Sequence, residues 1–182
     1  MLTITIPASE GWDESKQEFV SIEPAQTLQL EHSLISLSKW ESKWCKPFLS
    51  THDKTDEETL DYIKFMTITK NVKPGVYNRL TNKIIDEINR YIDAPMTATT
   101  FSGESGGKKN NEKITSELIY YWMIALTIPI EECQKWHLNR LLTLIKVCNI
   151  KNQPEKKMTS ADAAAHYAEL NAMRRKALGT KG

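Results

Sequence analysis

Four histidines (His32, His52, His137, His166) and three cysteines (Cys45, Cys133, Cys148) carry the widest chemical repertoire in this chain of 182 residues. Their spacing contains no HExxH, HxH or CxxC, so a zinc site would rest on proximity made by the fold and not on a local ligand pair. Cys133 and His137 stand one helical turn apart, the spacing that a thiolate nucleophile and its base would use. Such a pair also needs an orienting group and an oxyanion hole; the expectation is a half-buried histidine that donates to a backbone carbonyl. Glu131 and Glu132 open the same helical pattern, where carboxylates stabilise the positive end of the helix dipole without acid–base work. Gly103 to Lys109 (GESGGKK) invites comparison with a phosphate-binding loop, which places four residues between its first glycine and Gly-Lys-Ser/Thr. Here the gap is three, and Lys109 stands where the hydroxyl would be. A solvated linker is the reading. No catalytic residue, cofactor or metal is expected.

Aromatic and basic residues offer a second kind of chemistry. Trp40, Trp44 and Phe48, interleaved with Lys39, Lys43 and Lys46, have the composition of a platform for stacking single-stranded bases. Their i, i+4, i+8 spacing equally makes a core stripe, and the body around them is not basic. From Lys151 onward seven Lys/Arg face three Asp/Glu, a charge of +4, whereas the preceding chain carries seventeen against twenty, or −3. The total of +1 gives no global drive toward nucleic acid or an anionic membrane. Arg174-Arg175-Lys176 offsets the negative end of a terminal helix dipole and is also the best place for an acidic partner.

The elements that must position these groups are mostly helical. Leu2 to Ile6, Phe19 to Ile22 and Thr27 to Leu30 alternate apolar and polar side chains as strands do, with a turn-rich segment from Pro7 to Lys16. The period becomes helical from Ser33 until Pro47. Thr55 with Glu58 is a capping box opening a helix to about Thr69, and Lys73-Pro74-Gly75 breaks it. Leu80, Ile84, Ile88 and Tyr91 mark another helix, stopped by Asp93-Ala94-Pro95. Thr97 to Phe101 reads as extended, and Ser102 to Asn111 as a flexible loop. An Ala-rich helix opens at Thr159 or Ser160 and closes at Gly179. The fold class is therefore mainly α: a helical domain (1–150) with a small N-terminal β-hairpin or sheet, then a basic linker and a protruding C-terminal helix (151–182). Length allows one ordinary domain that buries roughly 70% of its unfolded surface. Three widely spaced cysteines read as reduced thiols, and the N-terminus lacks a secretory pattern.

Ile114 to Asn149 has the most distinctive pattern. From Leu118 to Leu126 every residue is apolar or aromatic, so a helix there is expected to be covered on all sides. The run is about half of the roughly 18 residues a membrane span requires. Pro129 suits the first turn of a second helix carrying Leu138, Leu141, Leu142, Ile145 and Cys148, which gives a helical hairpin. The expected partner-binding residues are Trp122, Met123, Leu126, Trp136, Leu141 and Ile145 in this hairpin, with Arg174 and Arg175 in the tail.

The strings HSLISLSKWESKWCKPFL (32–49), ETLDYIKFMT (58–67), APMTATTF (94–101) and ITSELIYYWMIALTIPIEECQKWHLNRLLTLIKVCNIKN (114–152) resemble tail assembly chaperones of long-tailed bacteriophages. The Ala-rich ending with paired arginines and LGTKG is similar as well. The likeness covers most of the chain, and Trp-His-Leu-Asn-Arg (136–140) is its most specific part. The resemblance implies a non-enzymatic protein of the host cytoplasm that binds the apolar, helical tape-measure protein and keeps it soluble until tail-tube subunits polymerise around it. It also implies that a longer product can arise by frameshifting near the end of the reading frame. Helix-in-groove docking is the expected mode, with no nucleic acid or membrane partner and with homo-oligomer formation left open. Two rivals make different expectations. A structural virion protein, such as a tail-completion or head-tail joining component, would remain in purified particles. A nucleic-acid-binding regulator using the basic tail would bind in a steeply salt-dependent way.

Overall fold

Alternation in LTITI and QTLQL sets the first layer. In the computed structural model β1 (Leu2–Ile6) and β4 (Gln26–Leu30) pair antiparallel, with Ile4 opposite Leu28 and Leu2 opposite Leu30. Ile4, Ile6, Leu28 and Leu30 are buried while Thr3, Thr5, Thr27 and Gln29 face solvent, as a period of two requires of a sheet with one covered face. The second edge of β4 is occupied by the chain leaving the second helix. Glu31 N–H donates to Met66 O, Ile68 N–H to Gln29 O, and Gln29 N–H to Thr69 Oγ1. The structure describes residues 1–51, 53–101, 113–152 and 160–179. His52 and the loop read over Ser102 to Asn111 lie outside them, as does most of the connector read over Lys151 to Met158.

One strand was not expected. β2 (Ser9–Asp13) pairs antiparallel with β3 (Glu18–Glu23), matching Trp12 with Phe19 and Gly11 with Val20. SEGWD lacks β-branched residues and lies in a turn-rich stretch, so propensity argues against it. The turn supplies what propensity lacks. Asp13 Oδ1 accepts from Ser15 N–H (2.9 Å) and Ser15 Oγ–H (2.6 Å), bonds that also hold the Asp13 carboxyl below its ordinary range. Gln17 takes a left-handed φ of 51°. A Cβ on Gly11 would fall 2.4 Å from Ile22 Cδ1, so glycine there makes room for Ile22.

The helices follow their caps. Ser33 caps α1 (Leu34–Trp44), whose Leu34, Leu37 and Trp40 are buried, and Cys45 ends it in the left-handed region with φ 51°. Thr55 and Glu58 form the capping box of α2 (Asp56–Met66). Thr81 caps α3 (Asn82–Asp93), which buries Ile84, Ile88 and Tyr91, and Thr115 caps α4 (Ser116–Ala125). Each cap oxygen accepts a backbone N–H that lacks a partner inside the helix.

The helix expected from Pro129 to Cys148 is two helices. α5 (Ile130–Cys133) is a single turn and α6 (Leu138–Asn152) starts afresh. The interruption has a tertiary cause: His137 forms an antiparallel bridge with Ser33, and Leu138 N–H donates to His32 O at 2.7 Å. Pairing with the chain between β4 and α1 replaces the continuous helical ladder.

Contacts divide the chain into two units, Met1–Asn149 and Ile150–Gly182. The first is helical with N-terminal strands and holds one apolar cluster drawn from β1, β4 and α1 through α6. The second contains α7 (Ser160–Leu178), ended by Gly179 with φ 64°. Tyr167, Met173 and Leu178 are exposed on it.

Candidate interaction surface

The groups able to do acid–base or thiol chemistry are tied into the packing. His137 Nε2–H donates to Tyr91 O at 3.0 Å and its Nδ1 accepts Asn139 N–H at 3.3 Å. Those two bonds fix the neutral Nε2–H tautomer. His137 is buried, deeper than expected, with the carbonyl bond that was expected. Burial lowers its pKa against the opposing pull of the Tyr91 carbonyl and Glu31. His32 lies 5.1 Å from it, ring to ring, with its Nδ1 2.5 Å from Tyr62 Oη. Burial, then His137, pushes His32 down to about 3. Tyr91 Oη–H donates to Glu31 Oε1 at 2.6 Å. The Cys133 thiol is buried, and burial followed by Glu132 raises its pKa, away from the thiolate that nucleophilic chemistry uses. Among the described residues no three His, Cys, Asp or Glu side chains group as a metal site would require.

The Trp40, Trp44 and Phe48 stripe is core-facing. Trp40 and Phe48 are buried with rings 5.0 Å apart, Trp44 is half-buried, and Trp40 Nε1–H donates to Glu58 O at 2.8 Å. Bases would find two of the three rings covered.

α4 departs from the all-round burial its sequence suggests. Ile119 and Met123 are fully buried, yet Tyr121 is 63% and Ile124 66% exposed. Leu118, Trp122 and Leu126 are half-buried. Glu117, Tyr121 and Ile124 share one helical face by their spacing of four and three. The reason is that α1 and α5 pack on α4, which covers one side and leaves the other to solvent.

The expected partner-binding set is therefore corrected. Met123, Leu141 and Ile145 are interior side chains of the first unit, 0 to 3% exposed, and present no surface. Trp122, Leu126 and Trp136 remain partly accessible, the last with the Arg140 guanidinium 4.2 Å over its ring. Arg174 and Arg175 are exposed on α7. Sequence reasoning passed over Tyr121 and Ile124, because uniform hydrophobicity hides which side of a helix is covered.

It also passed over the β2–β3 hairpin as a surface. Trp12, Phe19 and Ile22 are 54, 69 and 67% exposed, with the two rings edge to face at 5.2 Å. Arg79 anchors the hairpin base: Nη1 donates to Pro7 O (2.7 Å) and Pro24 O (3.3 Å), and Nη2 pairs with Glu23 at 3.2 Å.

No protein-family profile, curated protein or solved structure matches the chain. Among the described residues no helix is long and apolar enough to cross a membrane.

Proposed function

We propose that this chain is a bacteriophage tail assembly chaperone, acting without catalysis or cofactor in the host cytoplasm. It binds the tape-measure protein and hands it to polymerising tail-tube subunits. The resemblance of residues 32–49, 58–67, 94–101 and 114–152 to that family suggests the role. The observation that carries it is the open face of α4, where Tyr121 and Ile124 stand exposed beside half-buried Leu118, Trp122 and Leu126. Exposed apolar side chains on a rigid helix give an aggregation-prone client helix something to cover. In this reading the C-terminal helix, expected from its sequence to project, adds Arg174 and Arg175 for acidic parts of the client.

The test is co-expression of the tape-measure protein with and without this chain, measuring the soluble client. The unaltered chain is expected to raise the soluble fraction severalfold. Ile124→Glu and Tyr121→Lys are expected to abolish the gain with an unchanged circular dichroism spectrum, since both side chains lie outside the core. Unimpaired solubilisation by both variants would refute the assignment of the face. Recovery of the protein as a stoichiometric part of purified virions would favour a structural tail component instead.

A further inference from the structure

The β2–β3 hairpin combines two features that ordinarily avoid each other. A two-stranded ribbon is marginally stable by itself, and this one leaves Trp12 and Phe19 open to water. Around them the segment from Ser9 to Glu23 carries Glu10, Asp13, Glu14, Glu18 and Glu23 against Lys16 alone, a charge of −4. Trp12 is flanked by Glu10 and Glu14, each two residues away, and Glu10 shares its strand face by alternation. Asp13 stands directly opposite Glu18 in the pairing register, a like-charge arrangement that costs stability. Glu10, Glu14 and Glu18 have no ion-pair partner among the described residues. Glu23 is different, because it pairs with Arg79 at the base.

We propose that this hairpin is a docking surface for a cationic polypeptide segment bearing apolar side chains, which covers Trp12 and Phe19 and neutralises Glu10 and Glu14. Charge selects this occupant. A second copy docked hairpin to hairpin would set −4 against −4, and nucleic acid or an anionic membrane would meet the same repulsion. A cationic segment relieves the unbalanced carboxylates while burying two large aromatics, the side-chain type that dominates protein interfaces. The inference is independent of the assembly role proposed above, because it uses different residues from the α4 face.

The test titrates the full chain with an 18-residue amphipathic peptide of leucine and lysine, and with its leucine–glutamate counterpart. Fluorescence anisotropy of the labelled peptide and amide shifts of the 15N-labelled protein are followed. The lysine peptide is expected to bind with shift changes concentrated in residues 9–23, and the glutamate peptide is expected not to bind. Trp12→Ala with Phe19→Ala should weaken binding at least tenfold. Glu10→Gln with Glu14→Gln, exposed changes that keep the fold, should weaken it by about threefold to tenfold and flatten its salt dependence. Ile124→Glu should leave it unchanged, which separates failure here from failure of the α4 assignment. Unaltered binding by the glutamine pair would overturn the proposal, and so would shifts mapping outside the hairpin. Concentration-dependent broadening of the hairpin amides without peptide would assign the surface to a second copy instead.

Discussion

Glu41 shows how much one side chain can organise. It is 7% exposed; Oε1 accepts Phe48 N–H at 2.9 Å and Oε2 accepts Ser116 N–H at 2.7 Å. Ser116 is the first residue of α4, so the carboxylate meets both an unpaired amide and the positive end of that helix. Glu41→Ala strands two buried donors, each costing about 1–3 kcal/mol. The expected loss is therefore about 3 kcal/mol in urea unfolding at unchanged m-value, with Glu41→Gln intermediate because its amide keeps one acceptor oxygen. None of this was legible in KWESKW, where a glutamate between lysines and tryptophans reads as solvated. A buried carboxylate is recognisable only when its donors are known, and Ser116 is 75 residues away. The exposed Phe19 was hidden for the converse reason, since aromatic residues in a strand are more often inside, and Trp12 was hidden because its segment read as turn.

At the scale of elements, local rules performed best. The Thr55–Glu58 box was readable, because a cap is a covenant between residues three apart. Ends set by tertiary pairing were not, and α6 starts afresh where residues 32 and 33 bind the chain at 137 and 138. The end of α4 gives a quantitative test. Ile128 N–H donates to Met123 O (2.8 Å) and Thr127 N–H to Ile124 O (3.1 Å), a Schellman closure with Thr127 at φ 55° in the position that favours glycine. A β-branched residue is strained there. Thr127→Gly is expected to stabilise the protein by about 1 kcal/mol after allowing for glycine's extra unfolded-state entropy, seen as a higher urea midpoint. A lower midpoint would show that the Thr127 side chain contributes more than its backbone costs.

Over the molecule as a whole, several titrations point in one direction. His32 and His137 have lowered pKa values, so between pH 6.5 and about 3 the unfolded chain takes up protons that the folded chain refuses. Stability contributed by neutral His32 is intact above pH 6.5 and declines as pH falls, by about 2 kcal/mol from pH 7 to pH 5. Carboxylates extend the decline. The hydrogen bond from Lys46, then that from Thr55, lowers the Glu58 pKa. Burial raises that of Asp61, but bonds from Lys43 and Lys64 outweigh it. Glu58 loses its contribution as pH drops below about 4.5, and Asp61 below about 3.8. Urea midpoints measured from pH 7 to pH 4 should fall monotonically, and His32→Gln should flatten the slope between pH 7 and pH 5. A slope unchanged in that variant would remove His32 from the account. The mainly helical class with N-terminal strands was legible from periodicity alone, whereas the depth of the histidine pair was not, because it is made where the chain at 32 and 137 meets Tyr62 of α2 and Tyr91 of α3.

The Glu41 tie also sets a schedule for synthesis. A ribosome adding about 5–20 residues per second delivers Ser116 roughly 4–15 s after Glu41. Throughout that interval Oε2 lacks its Ser116 amide, and the nascent N-terminal layer lacks the helix that packs on α1. Early helices can nucleate in the meantime, but the side of α1 that α4 covers stays open until that later helix emerges.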